Sequence, residues 1–152
     1  MTKRSLRRLL ESGGLRRHRS SQNEIGGLLA VADRDLADAQ VPQVSLDRRF
    51  STAYSGALQL ATVVVAASGH RVAAQRGHHA VTWQALPQLM GDGLRETAIY
   101  FDSCRALRNT TDYDRAGVVS ASEVEELLRE AATLRQAVLE WLAAQHPDLV
   151  PG

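Results

Sequence analysis

The sequence predicts an all-α protein, an up-and-down helical bundle of four long helices plus short accessory helices. Three observations point there. Apolar residues recur every three or four positions along four long stretches, two of those stretches open on a Ser-x-x-Glu capping box, and no stretch alternates with period two for long enough to be a strand. At 152 residues the chain is about one domain long and can bury a single core.

The N-terminal twenty residues read as a basic arm or short helix, with Thr2 as a cap, Leu6, Leu9 and Leu10 on one side, and Gly13-Gly14 as the stop. Ser21-Gln22-Asn23-Glu24 then opens an amphipathic helix carrying Ile25, Leu28, Leu29, Ala32, Leu36 and Ala39 up to about Gln40. Gly26-Gly27 near its start permits close approach of a neighbour. Pro42 separates it from a central helix expected from Ser45 to Gly69. The stripe of that helix includes Phe50, Ala53, Tyr54, Ala57, Leu58, Ala61, Val64 and Val65.

From His70 to Ala80 the glycines and the His78-His79 pair signal a loop, and a short helix is expected from about Thr82 with Pro87 kinking or ending it. Asp92 can cap the next long helix, which runs through Leu94, Ala98, Phe101, Cys104 and Leu107 to about Arg108. Ser120-Ala121-Ser122-Glu123 opens the last helix, which His146-Pro147 stops. The bundle therefore spans residues 21–147, with 148–152 as a tail.

Composition narrows the function classes. The lone Cys104 excludes an intramolecular disulfide, and the apolar run from Phe50 to Gly69 is interrupted by enough polar residues to argue against a membrane span. No apolar segment follows the basic start, so the expected location is cytoplasmic. Charge is uneven: residues 1–20 carry +6 and the remainder −5. Such an arm suits nucleic acid or an anionic surface, or docking on the acidic body of the same or a neighbouring subunit.

One stretch resists a packing explanation. Arg108-Asn109-Thr110-Thr111-Asp112-Tyr113 places an Arg, an Asn, an Asp and a Tyr where one helix ends and the chain turns toward the next. In an up-and-down bundle this loop shares a pole with the start of the central helix, bringing Asp47, Arg48 and Arg49 near Arg108. The His70 to Ala80 loop falls at the other pole. Guanidinium groups gathered there would form an anion site.

The order of helices, together with the Arg49 to Ala57 segment, the Gly77-His78-His79 turn and Arg108-Asn109-Thr110-Thr111-Asp112-Tyr113, resembles the HEPN superfamily of small helical-bundle proteins. The resemblance covers about Ser45 to Trp141. Many HEPN proteins are metal-independent ribonucleases of toxin-antitoxin or antiviral defence modules. In these an Arg, four to six residues and a His form the site, usually at a homodimer interface. Others bind nucleotides or act as interaction modules, and many are encoded beside a nucleotidyltransferase. Carried onto this chain, the resemblance implies Arg108, Asn109 and Tyr113 as candidate catalytic residues, and the shared pole adds Arg48, Arg49 and Asp112 as candidate nucleic-acid contacts. It further implies a homodimer, RNA or nucleotide as ligand, and a nucleotidyltransferase or other protein as partner.

The chain departs from that pattern at one place. Tyr113 occupies the expected His position, and no His lies between Arg108 and His146. An unperturbed Tyr, with a pKa of about 10, is a poor base for activating a 2′-hydroxyl. The competing reading is therefore a non-catalytic interaction module or regulatory subunit of a larger complex. Arg108 and Asn109 also have a bland explanation, as a dipole-complementing last turn and a helix terminus. Tyr113 could alternatively be a modification target. His78 and His79, adjacent and without carboxylate or Cys partners at ligand spacing, read as structural loop residues, so no metal and no cofactor is expected. Cys104 reads as a small buried hydrophobe, and Trp83 and Trp141 as core or interface anchors.

Overall fold

The computed structural model describes residues 2–74, 77–109 and 117–152, with side chains described from Leu6 onward. Six helices and one two-stranded ribbon make up the described chain: α1 (Thr2–Glu11), β1 (Leu15–Arg17), α2 (Gln22–Asp38), α3 (Leu46–Ala67), β2 (His70–Val72), α4 (His78–Met90), α5 (Arg95–Asn109) and α6 (Ala121–Gln145). The protein is an all-α bundle whose long helices are α2, α3, α5 and α6.

α3 is the organising element. It packs against α2, α4, α5 and α6, and it buries twelve residues from Phe50 to Ala67. By length and composition α3 could cross a membrane, but 67% of its apolar window is buried against the other helices. The small residues of α3 allow tight approach at one point above all. A Cβ at Gly56 would lie 2.9 Å from Leu36 Cγ and 3.2 Å from the Ala32 carbonyl oxygen, so α2 and α3 cross closely there. The Gly26-Gly27 pair plays no such part: Gly26 faces Pro151 at ordinary contact distance and Gly27 faces nothing within 4 Å.

The helix starts follow the capping chemistry of the sequence. Ser120 and Glu123 form a reciprocal box, each side chain bonded to the other's backbone N–H. At α2 only half the box forms. Ser21 accepts from the Glu24 N–H, while the Glu24 carboxylate is taken by His18 Nε2 at 2.8 and 2.9 Å.

Two expectations are corrected. First, the chain does contain strands: β1 and β2 pair antiparallel with Leu15 opposite Val72, Arg16 opposite Arg71 and Arg17 opposite His70. Three-residue strands are too short to show a period of two, and the pairing partners lie 53 to 57 residues away, so nothing local announces the ribbon. Second, residues from His70 to Ala80 are not one loop at the far pole. β2 occupies its start, and α4 begins at His78, behind Gly77 at φ +79°, four residues before the expected Thr82. α4 then packs on α3, with Trp83 against Tyr54 and Ala85 in one apolar cluster with Leu15 and Val65. Pro87 does not end α4, which continues to Met90.

The basic N-terminus is docked rather than projecting. Leu6, Leu9 and Leu10 of α1 pack on Leu15, Val65 and Ala85, while Arg7, Arg8, Arg16, Arg17 and Arg19 stay exposed. At the other end Gln22 Nε2 donates to the Val150 carbonyl, tying the tail to the start of α2.

Candidate functional site

The site is built on a buried tyrosine. Tyr54, in the third turn of α3, is fully buried, and its hydroxyl accepts a hydrogen bond from Trp83 Nε1 at 2.9 Å. Trp83 stacks in turn on Phe101 of α5, with ring centroids 4.9 Å apart and planes 16° from parallel. α3, α4 and α5 are thus locked together by three aromatic side chains, and the polar residues around them inherit fixed positions.

Arg108, in the last turn of α5, sits on this aromatic base. Its guanidinium carbon lies 5.6 Å from the Tyr54 ring centroid, and its Nε donates to Ser51 Oγ at 3.2 Å. One turn earlier Arg105 Nε donates to Asp102 Oδ1 at 2.8 Å. From the opposite side comes His79, whose ring centroid is 6.3 Å from that of Tyr54 and 4.2 Å, edge-on, from that of His78.

The electrostatics follow from this crowding. Burial lowers the His79 pKa to about 4, and the positive field of His78, Arg108 and Arg105 adds to the effect, so its imidazole is neutral at physiological pH. Burial pushes the Tyr54 hydroxyl up to about 12, the Trp83 hydrogen bond and the two arginines opposing it, so Tyr54 is a neutral platform and not a base. Cys104 is driven up to about 11 chiefly by burial, which removes it as a nucleophile and fits its expected role as a small buried hydrophobe.

The expected site residues are distributed unevenly. The start of α3 does share a pole with the end of α5, as Ser51 against Arg108 shows, and Asp47 Oδ2 accepts from the Gly117 N–H at 2.7 Å. Arg48 is exposed and lines a groove with Asp38, Ser45 and Ser51. Arg49 turns the other way, its Nε donating to the Ala39 carbonyl at the C-terminus of α2 at 2.8 Å. Asn109 is exposed at the end of α5. Asp112 and Tyr113 lie outside the described residues.

Two members of the cluster escaped sequence reasoning. Arg105 stands three residues before Arg108 on one face of α5, a spacing that could have flagged it. Gly77 reads as loop punctuation in the sequence, which hides His79 in an expected loop. With α4 starting at His78, His79 lies one turn before Trp83 and shares its face.

Beside this cluster runs a cleft of about 290 Å³ between the ribbon, α3 and the start of α4. His18, Glu24, Gln59, His70, Arg71, His78 and His79 are on its walls, so His79 borders both the cleft and the arginine cluster. Among the described residues no group of three or more His, Cys, Asp or Glu side chains is placed to hold a metal ion.

A HEPN-like family model matches residues 39–139, two-thirds of the chain, which covers α3, α4, α5, the Arg108 segment and most of α6. The chain belongs to the HEPN superfamily. No curated protein and no solved structure shows significant similarity to it.

Proposed function

We propose that this HEPN protein binds RNA, with the arginine cluster of α5 holding phosphate. The carrying observation is that Arg108 is fixed on the buried Tyr54 ring and oriented by Ser51, with Arg105 one turn away, while a further cation, Arg71 of β2, lines the neighbouring cleft that His79 borders. Arg71 lies directly opposite Arg16 across the ribbon, a like-charge pairing that costs stability unless an anion bridges it. A single phosphate would meet either the α5 cluster or Arg71, whereas a polynucleotide backbone can meet both.

Each cation is suited to the task in its own way. Arg108 stacks on Tyr54 and is oriented by Ser51, so its planar fork is ordered before a phosphate arrives. Toxin-antitoxin or defence membership, with a homodimer or a nucleotidyltransferase partner, extends this proposal through the superfamily resemblance. Cleavage is a second reading, favoured by the ordered Arg108 guanidinium, which would stabilise the phosphorane; His79, with its pKa lowered to about 4, is no better suited than Tyr113 to act as the base near neutral pH. The competing reading, an interaction module, has support in Ile99. That side chain is 64% exposed in an apolar groove between α4 and α5.

The test is recovery of RNA crosslinked to the tagged chain in cells expressing wild type, Arg108→Ala or Tyr113→Phe at matched soluble levels. The proposal expects RNA with wild type and a severalfold loss with Arg108→Ala, and growth arrest with degraded total RNA would add cleavage. Equal recovery from wild type and Arg108→Ala would contradict it and turn attention to protein partners.

A further inference from the structure

We infer that the cleft walled by β2, α3 and the first turn of α4 is a base-binding subsite, which takes one nucleobase of the RNA chain whose phosphates lie on the neighbouring arginine cluster of α5. This rests on the reading of the Arg108 cluster as a phosphate site and adds what that cluster alone does not supply, a preference among bases.

The chemistry of the walls suits a flat, uncharged heterocycle. Leu58, Val65 and Ala66 make an apolar floor on α3, and the His78 and His79 rings offer aromatic surface at one end. Gln59 brings a side-chain amide with both donor and acceptor to the wall, the pairing that reads a base edge in two bonds. Nearby hydroxyls are already engaged: Thr62 donates to the Leu58 carbonyl at 2.8 Å and Thr82 to that of His78 at 3.3 Å. Specific recognition therefore falls to Gln59 and the imidazoles. Burial lowers the pKa of both His70 and His79, so these two imidazoles are neutral at physiological pH, while Arg71 brings positive charge to the wall. At about 290 Å³ the cleft has room for one base.

A metal ion is the rival occupant, because His18, Glu24, His70, His78 and His79 all line the cleft. His18 and Glu24, however, are bonded to each other at 2.8 and 2.9 Å, and the described His and carboxylate groups do not converge as ligands.

Calorimetric binding of the four nucleoside 5′-monophosphates, with ribose 5-phosphate as the base-free probe, tests the assignment. At least one nucleotide should bind about fivefold or more tighter than ribose 5-phosphate. Gln59→Leu and His78→Ala should remove that preference while leaving ribose 5-phosphate affinity unchanged. Gln59→Glu, of equal size, serves as the second variant at the half-buried position if Gln59→Leu misfolds by circular dichroism. A nucleotide series no tighter than ribose 5-phosphate would overturn the subsite, as would a preference that survives all three substitutions. Stoichiometric Zn²⁺ binding lost in His78→Ala, with no base preference, would overturn it in favour of a metal. Arg108→Ala separates the two levels. It should weaken nucleotides and ribose 5-phosphate alike, and a base preference with no dependence on Arg108 would contradict the phosphate reading while upholding the subsite. Absence of binding by every probe would contradict both.

Discussion

The Arg108 guanidinium rests 5.6 Å from the centroid of the Tyr54 ring, and the hydroxyl of that ring accepts the Trp83 indole N–H at 2.9 Å. A cation at the end of α5 is thereby joined to the core through one buried side chain. The face of Tyr54 serves the site and its hydroxyl serves the fold, so the two roles can be separated by substitution.

Tyr54→Phe keeps the ring and removes the acceptor, leaving the buried Trp83 N–H without a partner. The expected cost is about 1–3 kcal/mol of unfolding free energy, measured by urea denaturation. RNA affinity should change less than twofold, because the surface beneath Arg108 is retained. Stability equal to wild type would show that the Trp83 bond does not hold the three helices together.

Gly56→Ala tests the closest helix contact. The added methyl meets Leu36 Cγ at 2.9 Å and the Ala32 carbonyl oxygen at 3.2 Å. Leu36 can swing away but the backbone oxygen cannot. Overpacking of about 1–3 kcal/mol should outweigh the helix-propensity gain of about 1 kcal/mol, so Gly56→Ala lowers the unfolding midpoint. Gly27→Ala, with nothing within 4 Å, should raise it.

The His79 pKa of about 4 in the folded state, against about 6.5 unfolded, has a defined sign. Between these values the unfolded chain binds more protons, so the contribution of His79 is complete above about pH 6.5 and is lost progressively as pH falls toward 4. His70, also lowered, acts in the same direction. Thermal unfolding across this range should show a falling midpoint on acidification, with a shallower slope in His79→Gln. An unchanged slope in that variant would mean that burial does not hold the His79 imidazole neutral.

Arg16 and Arg71 face each other across the ribbon. Arg71→Thr removes the like-charge pair, so it should stabilise the protein slightly while weakening RNA binding. If Arg71 meets one phosphate, the slope of log affinity against log salt falls by roughly 0.7 for single-stranded RNA. Lower affinity with an unaltered slope would place Arg71 off the path of the nucleic acid.

The parts of this architecture legible in the sequence were those set by local spacing. The α3 stripe, the Ser120–Glu123 box, the stop before Pro147 and the burial of Cys104 all follow from periodicity and capping, and all four stand in the structure. The shared pole of the α3 start and the α5 end follows from bundle topology, although it is Ser51 that meets Arg108 while Arg49 bonds the Ala39 carbonyl. What could not be read depends on contacts between distant residues. The Leu15–Val72 pairing belongs to strands three residues long, Gly56 gains meaning only from Leu36 and Ala32, and His79 nears the arginines only because α4 packs on α3 at Tyr54. The His18–Glu24 bond shows the limit of a motif: the capping box predicted the Ser21 bond, and a residue outside the motif took the carboxylate.

The most direct test of the central claim is fluorescence anisotropy of a labelled single-stranded RNA of about twenty nucleotides. It is titrated with wild type, Arg108→Lys and Arg108→Ala whose unfolding curves have first been matched. If Arg108 is a phosphate ligand held by Tyr54 and Ser51, Arg108→Ala lowers affinity about tenfold or more and reduces the salt slope by roughly 0.7, with Arg108→Lys between the two. Unchanged affinity and slope in a folded Arg108→Ala protein would contradict the account and reduce Arg108 to a cation that ends a helix.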